Sequence, residues 1–213
     1  MAKTNEKKPP MQNDHAAVGG DDDNNKEGHG QEDSPDRLMK KWEDEYREKL
    51  VTPAKAVRKI ESGNRVVLGH AAGEPKTLVD ALLEDAGRLA DVEVVHMVPL
   101  YSCEYTKPEY ANHFRHNALF VGAGTREPIN SGRADFTPCF FSEIPRLFRE
   151  EILPVDAALV QVSPPDKHGY MSFGVAVDYT MQAALSARYT VAEVNKKTPR
   201  DRKSTRLNSS HYS

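Results

Sequence analysis

Short runs of apolar, largely β-branched residues recur along the middle of the chain and are separated by stretches with helical periodicity. The runs predict five buried strands, at residues 65–69, 92–98, 118–121, 157–162 and 189–194. Helices are predicted between several of them, at residues 75–89, 125–131, 143–150 and 179–187. This alternation favours an α/β fold, an open and mostly parallel sheet with helices on both faces. Ligands of such sheets bind outside the carboxyl ends of the strands, so the loops there are candidate sites.

A charged helix is predicted before the first strand. Trp42, Tyr46 and Leu50 are spaced four residues apart and share one face of a helix over residues 36–50. We expect this helix to dock on the domain through that face. Pro53 then fits the first turn of a second helix.

The amino-terminal residues 1–38 have a different composition from the rest. They carry five Lys/Arg against nine Asp/Glu and no aromatic residue, so they cannot bury enough surface to offset their ordering entropy. We predict a disordered acidic leader. It lacks the apolar centre of a secretory signal, and no run in the chain approaches the length of a membrane span. We therefore expect a cytoplasmic protein with no membrane partner.

The other end of the chain resembles a cloning artefact. Residues 201–211 agree with one reading frame of a common sequencing-library adapter. We therefore expect 201–213 to be a non-native tail, and the native protein to continue beyond Arg200. This leaves residues 39–200 as one domain.

Composition excludes several classes of protein. With 13 Gly, 14 Pro and 2 Cys in 213 residues, the chain is neither collagen-like nor disulfide-dense. The formal net charge of −3 gives no general attraction to nucleic acid, which we do not expect as a partner. Cys103 and Cys139 lack a CxxC context, and we expect reduced thiols.

A glycine-containing loop, hereafter the first loop (residues 69–75), follows the first strand. Its glycines allow a close approach of backbone to a ligand, and the next helix presents free N–H groups. A plain tight turn explains the spacing equally well. Neither the Rossmann fingerprint nor the P-loop spacing is present, which disfavours a nucleotide triphosphatase. The candidate cleft residues here are Gly69, His70, Gly73, Glu74 and Pro75.

The second loop (residues 122–128) also places glycines between a strand and a helix. Its N–H groups and an arginine fork suit a phosphate, although a turn with an exposed arginine fits the pattern as well. Its candidate residues are Gly122, Gly124 and Arg126.

The third loop (residues 163–174) follows the strand at 157–162 and is the most informative. A hydrolase triad of Asp166, His168 and Ser172 is disfavoured, because the serine has no GxSxG context. The loop either lines a substrate site or is purely structural. Its candidate residues are Ser163, Pro164, Pro165, His168, Gly169 and Ser172.

Two histidines three residues apart, His113 and His116, suggest a metal site at first sight. No carboxylate or cysteine accompanies them at ligand spacing, so we interpret them as part of a solvated helical face and expect no metal.

The stretch from Trp42 to Arg200 resembles the amino-terminal half of the acetyl-CoA hydrolase/transferase family, in particular its 4-hydroxybutyrate and butyryl-CoA:acetate CoA-transferase branch. The resemblance rests on the first loop with the preceding residues 63–67, on residues 132–136 with 142–145, on residues 162–174, and on residues 192–196. The segment 162–174 is the longest and most specific of these motifs.

The resemblance implies transfer of CoA from an acyl-CoA to a short-chain carboxylate, through an enzyme-bound anhydride and a glutamyl-CoA thioester. It implies no cofactor besides the CoA thioester substrate, and a possible homo-oligomer of the full-length parent. In the family the attacking glutamate lies in the carboxyl-terminal half, so no residue of this chain is expected to be catalytic. Glu74 and Glu193 belong to the amino-terminal motifs and do not match it.

Two other functions stay open at this point. In an acetyl-CoA hydrolase, water instead of a carboxylate would resolve the acyl intermediate, and the motifs of this half do not separate the two activities. A non-catalytic α/β binding module with an acidic arm is the third reading.

Overall fold

Six parallel strands form the central sheet of the protein. The structure, a computed structural model, describes residues 35–101, 103–200 and 206–208. The strands of the sheet are β1 (Arg65–Leu68), β2 (Val92–His96), β3 (Phe114–Ala118), β4 (Ala134–Phe136), β5 (Ala157–Val162) and β7 (Tyr189–Val194). Their order is β4-β3-β2-β1-β5-β7, and every neighbouring pair is parallel.

The strand order reverses direction between β1 and β5. From β1 the chain moves outward through β2 and β3 to β4, and then returns to β5 on the other side of β1. In an open α/β sheet this reversal is the topological switch point, where a crevice opens outside the carboxyl ends of the two strands.

Helices pack on both faces of the sheet, as predicted. They are α1 (Pro35–Lys49), α2 (Pro53–Val57), α3 (Lys76–Glu84), α4 (Ala123–Asn130), α5 (Ile144–Arg149) and α6 (Tyr179–Ser186). Thr52 caps α2, because its side chain accepts a hydrogen bond from the Lys55 N–H. Within the described residues, no helix is both long and apolar enough to cross a membrane.

Alternating residues of the central strands build two separate cores. Val66 and Leu68 of β1 pack with α2 and α3 in one core, whereas Val67 packs with α5 and α6 in the other. Because side chains of a strand point alternately to opposite faces, a continuous apolar run supplies both cores at once.

Strand β3 corrects two predictions. The strand lies at Phe114–Ala118 and not at 118–121, and His113 and His116 belong to no helix. His116 is buried in β3, where its Nδ1 lies 2.9 Å from the carbonyl of Val94. The pattern failed here because polar side chains occupy a central strand, where Nδ1 of His116 bonds to the neighbouring strand in a way that the sequence does not reveal.

A small two-stranded sheet lies beside the main one. Strand β6 (Tyr170–Ser172), inside the third loop, pairs antiparallel with β8 (Arg206–Asn208), which lies in the predicted non-native tail. This pairing does not test where the tail comes from, so its non-native origin stays a prediction.

The predicted leader lies mostly outside the described residues. The described residues all belong to a unit that begins at Ser34, and α1 begins at Pro35. Four residues that we assigned to the leader therefore belong to this helix, and the prediction of disorder for residues 1–34 stays a prediction.

Candidate functional site

All three predicted loops lie at the carboxyl edge of the sheet. The first loop follows β1 and the third follows β5, so these two flank the switch point. The second loop follows β3, which is two strands away from β1. The topology alone therefore favours the first and third loops as one site.

The first loop is closely packed at both of its glycines. The Gly69 N–H donates to the carbonyl of Leu159 at 2.8 Å, and a Cβ on Gly69 would lie 2.8 Å from the carbonyl oxygen of Gly73. A Cβ on Gly73 would lie 2.4 Å from the Cβ of Ala176, just after the third loop. Any larger residue at either position requires the backbone to move.

Glu74 joins the first loop to the segment that follows β2. It is 3% exposed, and one carboxylate oxygen accepts hydrogen bonds from the backbone N–H groups of Leu100 (2.8 Å) and Tyr101 (3.3 Å). Burial raises the pKa of Glu74, and these two hydrogen bonds partly offset the rise. Pro75 is the N-cap residue of α3. Glu74 is thus a structural brace within the described geometry.

His70 forms the contact that connects the first loop to the start of α6. Its Nε2 lies 2.7 Å from Oδ2 of Asp178, and its ring lies 4.8 Å, centroid to centroid, from the ring of Tyr179. The residue is 8% exposed. Burial raises the pKa of Asp178, but the interaction with His70 and the hydrogen bonds from Thr180 together outweigh burial and leave that pKa lowered.

The serines of the third loop bond to the loop itself. The buried Ser163 hydroxyl donates to the carbonyl of Pro164 and accepts from the N–H of Ser172. The Ser172 hydroxyl in turn accepts from the N–H of Gly174 at 3.0 Å. Both hydroxyl groups therefore hold the loop conformation.

Asp166 organises the tip of the third loop. Its Oδ1 accepts from the N–H groups of His168 (2.9 Å) and Tyr170 (3.0 Å), and its Oδ2 lies 3.0 Å from Nη2 of Arg200. The backbone hydrogen bonds are among the causes that lower the pKa of Asp166, against burial, which raises it. His168 is exposed at this tip, and no hydrogen bond between its side chain and Ser172 or Asp166 forms a triad.

Gly169 is required by the turn and by a neighbour. Its φ is +81°, and a Cβ there would lie 3.0 Å from Cγ of Trp42 in α1. Trp42 of the predicted docking helix thus rests on the third loop. Pro164 and Pro165 are half-buried at the exit from β5.

The second loop stands apart from the other two. The Gly122 N–H donates to Oγ1 of Thr125, and a Cβ on Gly124 would lie 3.2 Å from Sγ of Cys103. Arg126 is exposed, and no hydrogen bond or ion pair in the described part of the chain joins it to the first or third loop. The predicted residues Gly122, Gly124 and Arg126 are therefore not gathered with the others.

Sequence reasoning missed Asp178, and it missed the roles of two polar residues beside the site. Glu193 of β7 accepts from the Thr77 N–H at the start of α3 and from Nε2 of Gln161, which lies in β5. Asp178 follows the third loop without any motif of its own in the sequence argument. Its partner is 108 residues away, so no local signal identifies it.

Exposed apolar side chains accompany these loops. Leu100 is 62% exposed after β2, Phe140 is 78% exposed after β4, and Val175 is 65% exposed after the third loop. Phe120, Phe136, Phe141 and Tyr101, at the same edge, are also exposed. Several large exposed apolar side chains at one edge are typical of a surface that packs against protein or ligand.

A well-formed groove lies elsewhere on the domain. It measures about 530 Å³ and runs along β7 between α2, α3 and the end of α1. No residue of the first loop lines it. Among the described residues, no group of three or more His, Cys, Asp or Glu side chains is arranged to hold a metal ion.

Comparisons with known proteins agree with the geometry. The chain is 60% identical over 159 residues to 4-hydroxybutyrate coenzyme A transferase of Clostridium kluyveri, a match that covers 75% of this chain and 37% of that enzyme. It is 36% identical over 171 residues to succinyl-CoA:cyclohexane-1-carboxylate CoA transferase of Geobacter metallireducens, covering 79% of this chain and 38% of that enzyme. The chain thus spans somewhat more than a third of each.

A solved structure shares the fold. RipA from Yersinia pestis superposes with a TM-score of 0.73 and 33% identity, over 80% of this chain and 42% of that one. The profile of the acetyl-CoA hydrolase/transferase N-terminal domain matches residues 33–204. The chain therefore belongs to the acetyl-CoA hydrolase/transferase family and contains its amino-terminal domain.

Proposed function

We propose that this chain is the amino-terminal part of an acyl-CoA:carboxylate CoA-transferase, and that its first and third loops form one wall of the substrate cleft. The observation that carries the proposal is the joining of these loops at the switch point, through His70 and Asp178 and through Gly73 and Ala176. The substrates are an acyl-CoA and a short-chain carboxylate, and no resident cofactor takes part.

The proposed reaction exchanges one carboxylate for another on CoA. A glutamate carboxylate attacks the thioester carbonyl, and the resulting acyl-glutamyl anhydride forms as the CoA thiolate leaves. The thiolate then attacks the glutamyl carbonyl, which releases the first carboxylate and leaves a glutamyl-CoA thioester. The acceptor carboxylate reverses these two steps and departs as the new acyl-CoA.

The attacking glutamate is proposed to lie outside this chain. Glu74 is buried and accepts from two backbone N–H groups, and Glu193 accepts from Thr77 and Gln161. Each carboxylate already has a bracing role, and neither matches the family's nucleophile. The proposed role of this domain is to orient the substrate.

The exposed apolar residues at the carboxyl edge support the proposal that a further part of the enzyme supplies the glutamate. Leu100, Phe140 and Val175 expose large side chains where the proposed cleft opens. A second part of the enzyme that packs there would bury this surface and exclude water from the thioester, as a ligand pocket requires. A cytoplasmic location is part of the same proposal, since Cys103 and Cys139 are both free thiols.

A chimera tests the proposal. The 159-residue stretch of the Clostridium kluyveri enzyme that aligns with this chain is replaced by the matching residues of this chain. We expect the chimera to transfer CoA from acetyl-CoA to 4-hydroxybutyrate or butyrate, and this chain by itself to show no turnover. A folded chimera that is inactive with these acceptors would contradict the proposal. Product analysis without any acceptor separates transfer from hydrolysis.

A further inference from the structure

Helix α1 meets the third loop through two aromatic residues one helical turn apart. Trp42 lies on Gly169, where an added Cβ would be 3.0 Å from Cγ, 3.1 Å from Cδ2 and 3.3 Å from Cβ of the tryptophan. Tyr46 packs against the apolar cluster that contains Met171 of the same loop, and it lines a groove together with that residue. Because residues four apart share one face of a helix, a single face of α1 is directed at residues 169–171.

The charged side chains next to this face do not take part in the contact. Arg47 forms ion pairs with Glu43 and Asp44 at 3.6 Å each, within α1 itself. These three side chains are between 48% and 70% exposed. Exposed pairs of this kind contribute little, so the docking of α1 on the third loop depends on its aromatic residues.

The segment after β7 holds the third loop through other groups. Arg200 donates from Nη2 to the carbonyl of Tyr170 at 3.1 Å. At the end of the loop, a Cβ on Gly174 would lie 2.5 Å from Cγ2 of Thr198. The third loop is thus contacted by α1, at the start of the described domain, and by the segment that ends at Arg200.

The tip that Trp42 covers includes His168, a predicted cleft residue whose side chain is exposed. The N–H groups of His168 and Gly169 donate to Oδ1 and to the carbonyl of Asp166, both at 2.9 Å. These bonds set the shape of the turn, but its position on the domain depends on what packs against it. The three atoms nearest to a Cβ at Gly169 all belong to Trp42.

We propose that Trp42 is a positioning residue of the substrate cleft, which holds the tip of the third loop in place before the substrate binds. The inference rests on the proposed function, since it gives a role in that cleft to a residue outside its wall. A loop that is fixed in advance loses less conformational freedom on binding, and this raises the affinity for substrate. The indole suits this role, because it supplies a large and rigid contact area.

The contact is tested first by urea unfolding of the full 213-residue chain. Gly169→Ala and Gly132→Ala carry a similar backbone cost, because φ is +81° and +76°, but a Cβ at Gly132 meets nothing within 4 Å. We expect Gly169→Ala to be the less stable of the two, and the difference to disappear when both are made in a Trp42→Ala background. Equal stabilities in the wild-type background, or a difference that persists without Trp42, would overturn the contact.

Amide hydrogen exchange tests whether Trp42 positions the tip. Trp42→Ala should accelerate exchange at Gly169 and Tyr170 by about tenfold more than at Val66 in the core of β1, because a local opening becomes easier. Trp42→Phe keeps an aromatic ring and should restore most of the protection. Equal acceleration at all three amides would mean a purely structural role and would overturn the proposal, as would wild-type exchange at the tip.

Arg47→Ala is the matched control. It shortens a long side chain of the same helix that is 70% exposed and pairs within α1. This variant should leave exchange at Gly169 and Tyr170 unchanged. Acceleration as large as in Trp42→Ala would mean that α1 as a whole, and not the indole, holds the loop.

The effect on substrate is measured in the chimera with the Clostridium kluyveri enzyme, built so that this chain begins with α1 at Pro35. We expect Trp42→Ala to raise the KM for acetyl-CoA, for butyrate or for both by about fivefold, with kcat changed by less than about twofold, because the lost interaction is one of binding. Trp42→Phe and Arg47→Ala should stay near the parent chimera. Unchanged KM values in an active Trp42→Ala chimera would overturn the role in the cleft. An inactive parent chimera, with the expected exchange result, would contradict the proposed function and leave Trp42 as the residue that positions the third loop.

Discussion

Gly73 and Ala176 are packed so closely that a Cβ added to Gly73 would lie 2.4 Å from the Cβ of Ala176. This contact and the bond from His70 to Asp178 both join the first loop to the segment after the third loop. Two segments that are far apart in the sequence are thus in contact at this place in the fold. The close approach makes the loop arrangement sensitive to a single methyl group.

Replacement of Gly73 by alanine should destabilise the domain. The added Cβ has no space beside Ala176, so the loop must shift, and overpacking of this kind costs about 1–3 kcal/mol. The measurement is the free energy of unfolding in urea. Gly87→Ala is the control, because a Cβ at Gly87 meets nothing within 4 Å. Equal stabilities of the two variants would show that the first loop is not packed as described.

The buried histidines His96 and His116 predict a loss of stability in mild acid. Burial lowers the pKa of His96 to about 3 and that of His116 to about 4. An unfolded histidine titrates near 6.5, so below that pH the unfolded chain binds protons that the folded chain does not. The free energy of unfolding should therefore fall as the pH falls from about 6.5 toward 4, by up to about 1.4 kcal/mol per pH unit for each histidine.

Urea unfolding at a series of pH values measures this slope. The double variant His96→Asn/His116→Asn should be less stable at neutral pH, because it loses buried contacts, but its stability should change less with pH. Carboxylates with lowered pKa values, such as Asp135 beside Arg115, lose their contribution only below their unfolded pKa, near 4. A double variant with the wild-type slope above pH 4.5 would refute the assignment to these histidines.

Arg200 should stabilise the conformation of the third loop. Its Nη1 donates to the carbonyl of Pro164 at 2.6 Å, and its Nη2 donates to the carbonyl of Tyr170 at 3.1 Å and to Asp166 at 3.0 Å. Arg200→Ala should lower stability by about 1–2 kcal/mol, discounted because the guanidinium is partly exposed. Amide hydrogen exchange at Gly169 and Tyr170 should accelerate.

The comparison for Arg200 is Arg146→Ala. Arg146 forms an exposed ion pair with Glu150 at 3.8 Å, and such pairs contribute little. Its loss should leave exchange in the third loop unchanged. Slow exchange at Gly169 in Arg200→Ala would mean that the loop keeps its shape without the arginine.

The apolar carboxyl edge should bind a hydrophobic dye in the isolated chain. Phe140 and Leu100 are 78% and 62% exposed there, and the dye should lose fluorescence in a Phe140→Ser/Leu100→Ser variant. Leu185→Ser is the control, since Leu185 is exposed in α6 and not among the carboxyl-edge loops. A monodisperse monomer that binds no dye would contradict the proposal that this edge packs against a further part of the enzyme.

Local sequence predicted most of the architecture, because a strand that is buried on both faces is a continuous apolar run in the sequence. The strands β5 and β7 lie at the predicted residues, and β1 lies within one residue of its prediction. Helix α6 ends one residue earlier than predicted. These segments are continuous apolar or amphipathic runs, and periodicity reads such runs directly. The family motifs were equally local, and the family resemblance is confirmed.

The tertiary structure decided what no single segment encodes. His116 was misread because this buried polar side chain lies in a strand, where its Nδ1 bonds to Val94 on the neighbouring strand. The predicted site residues all lie in segments that follow strands at the carboxyl edge of the sheet, but only strand order brings the first and third loops together and leaves Arg126 apart. Asp178 became visible through its contact with His70, and that contact exists because β1 and β5 are neighbours. Pairing between distant segments depends on which strands adjoin, and that is a property of the whole sheet.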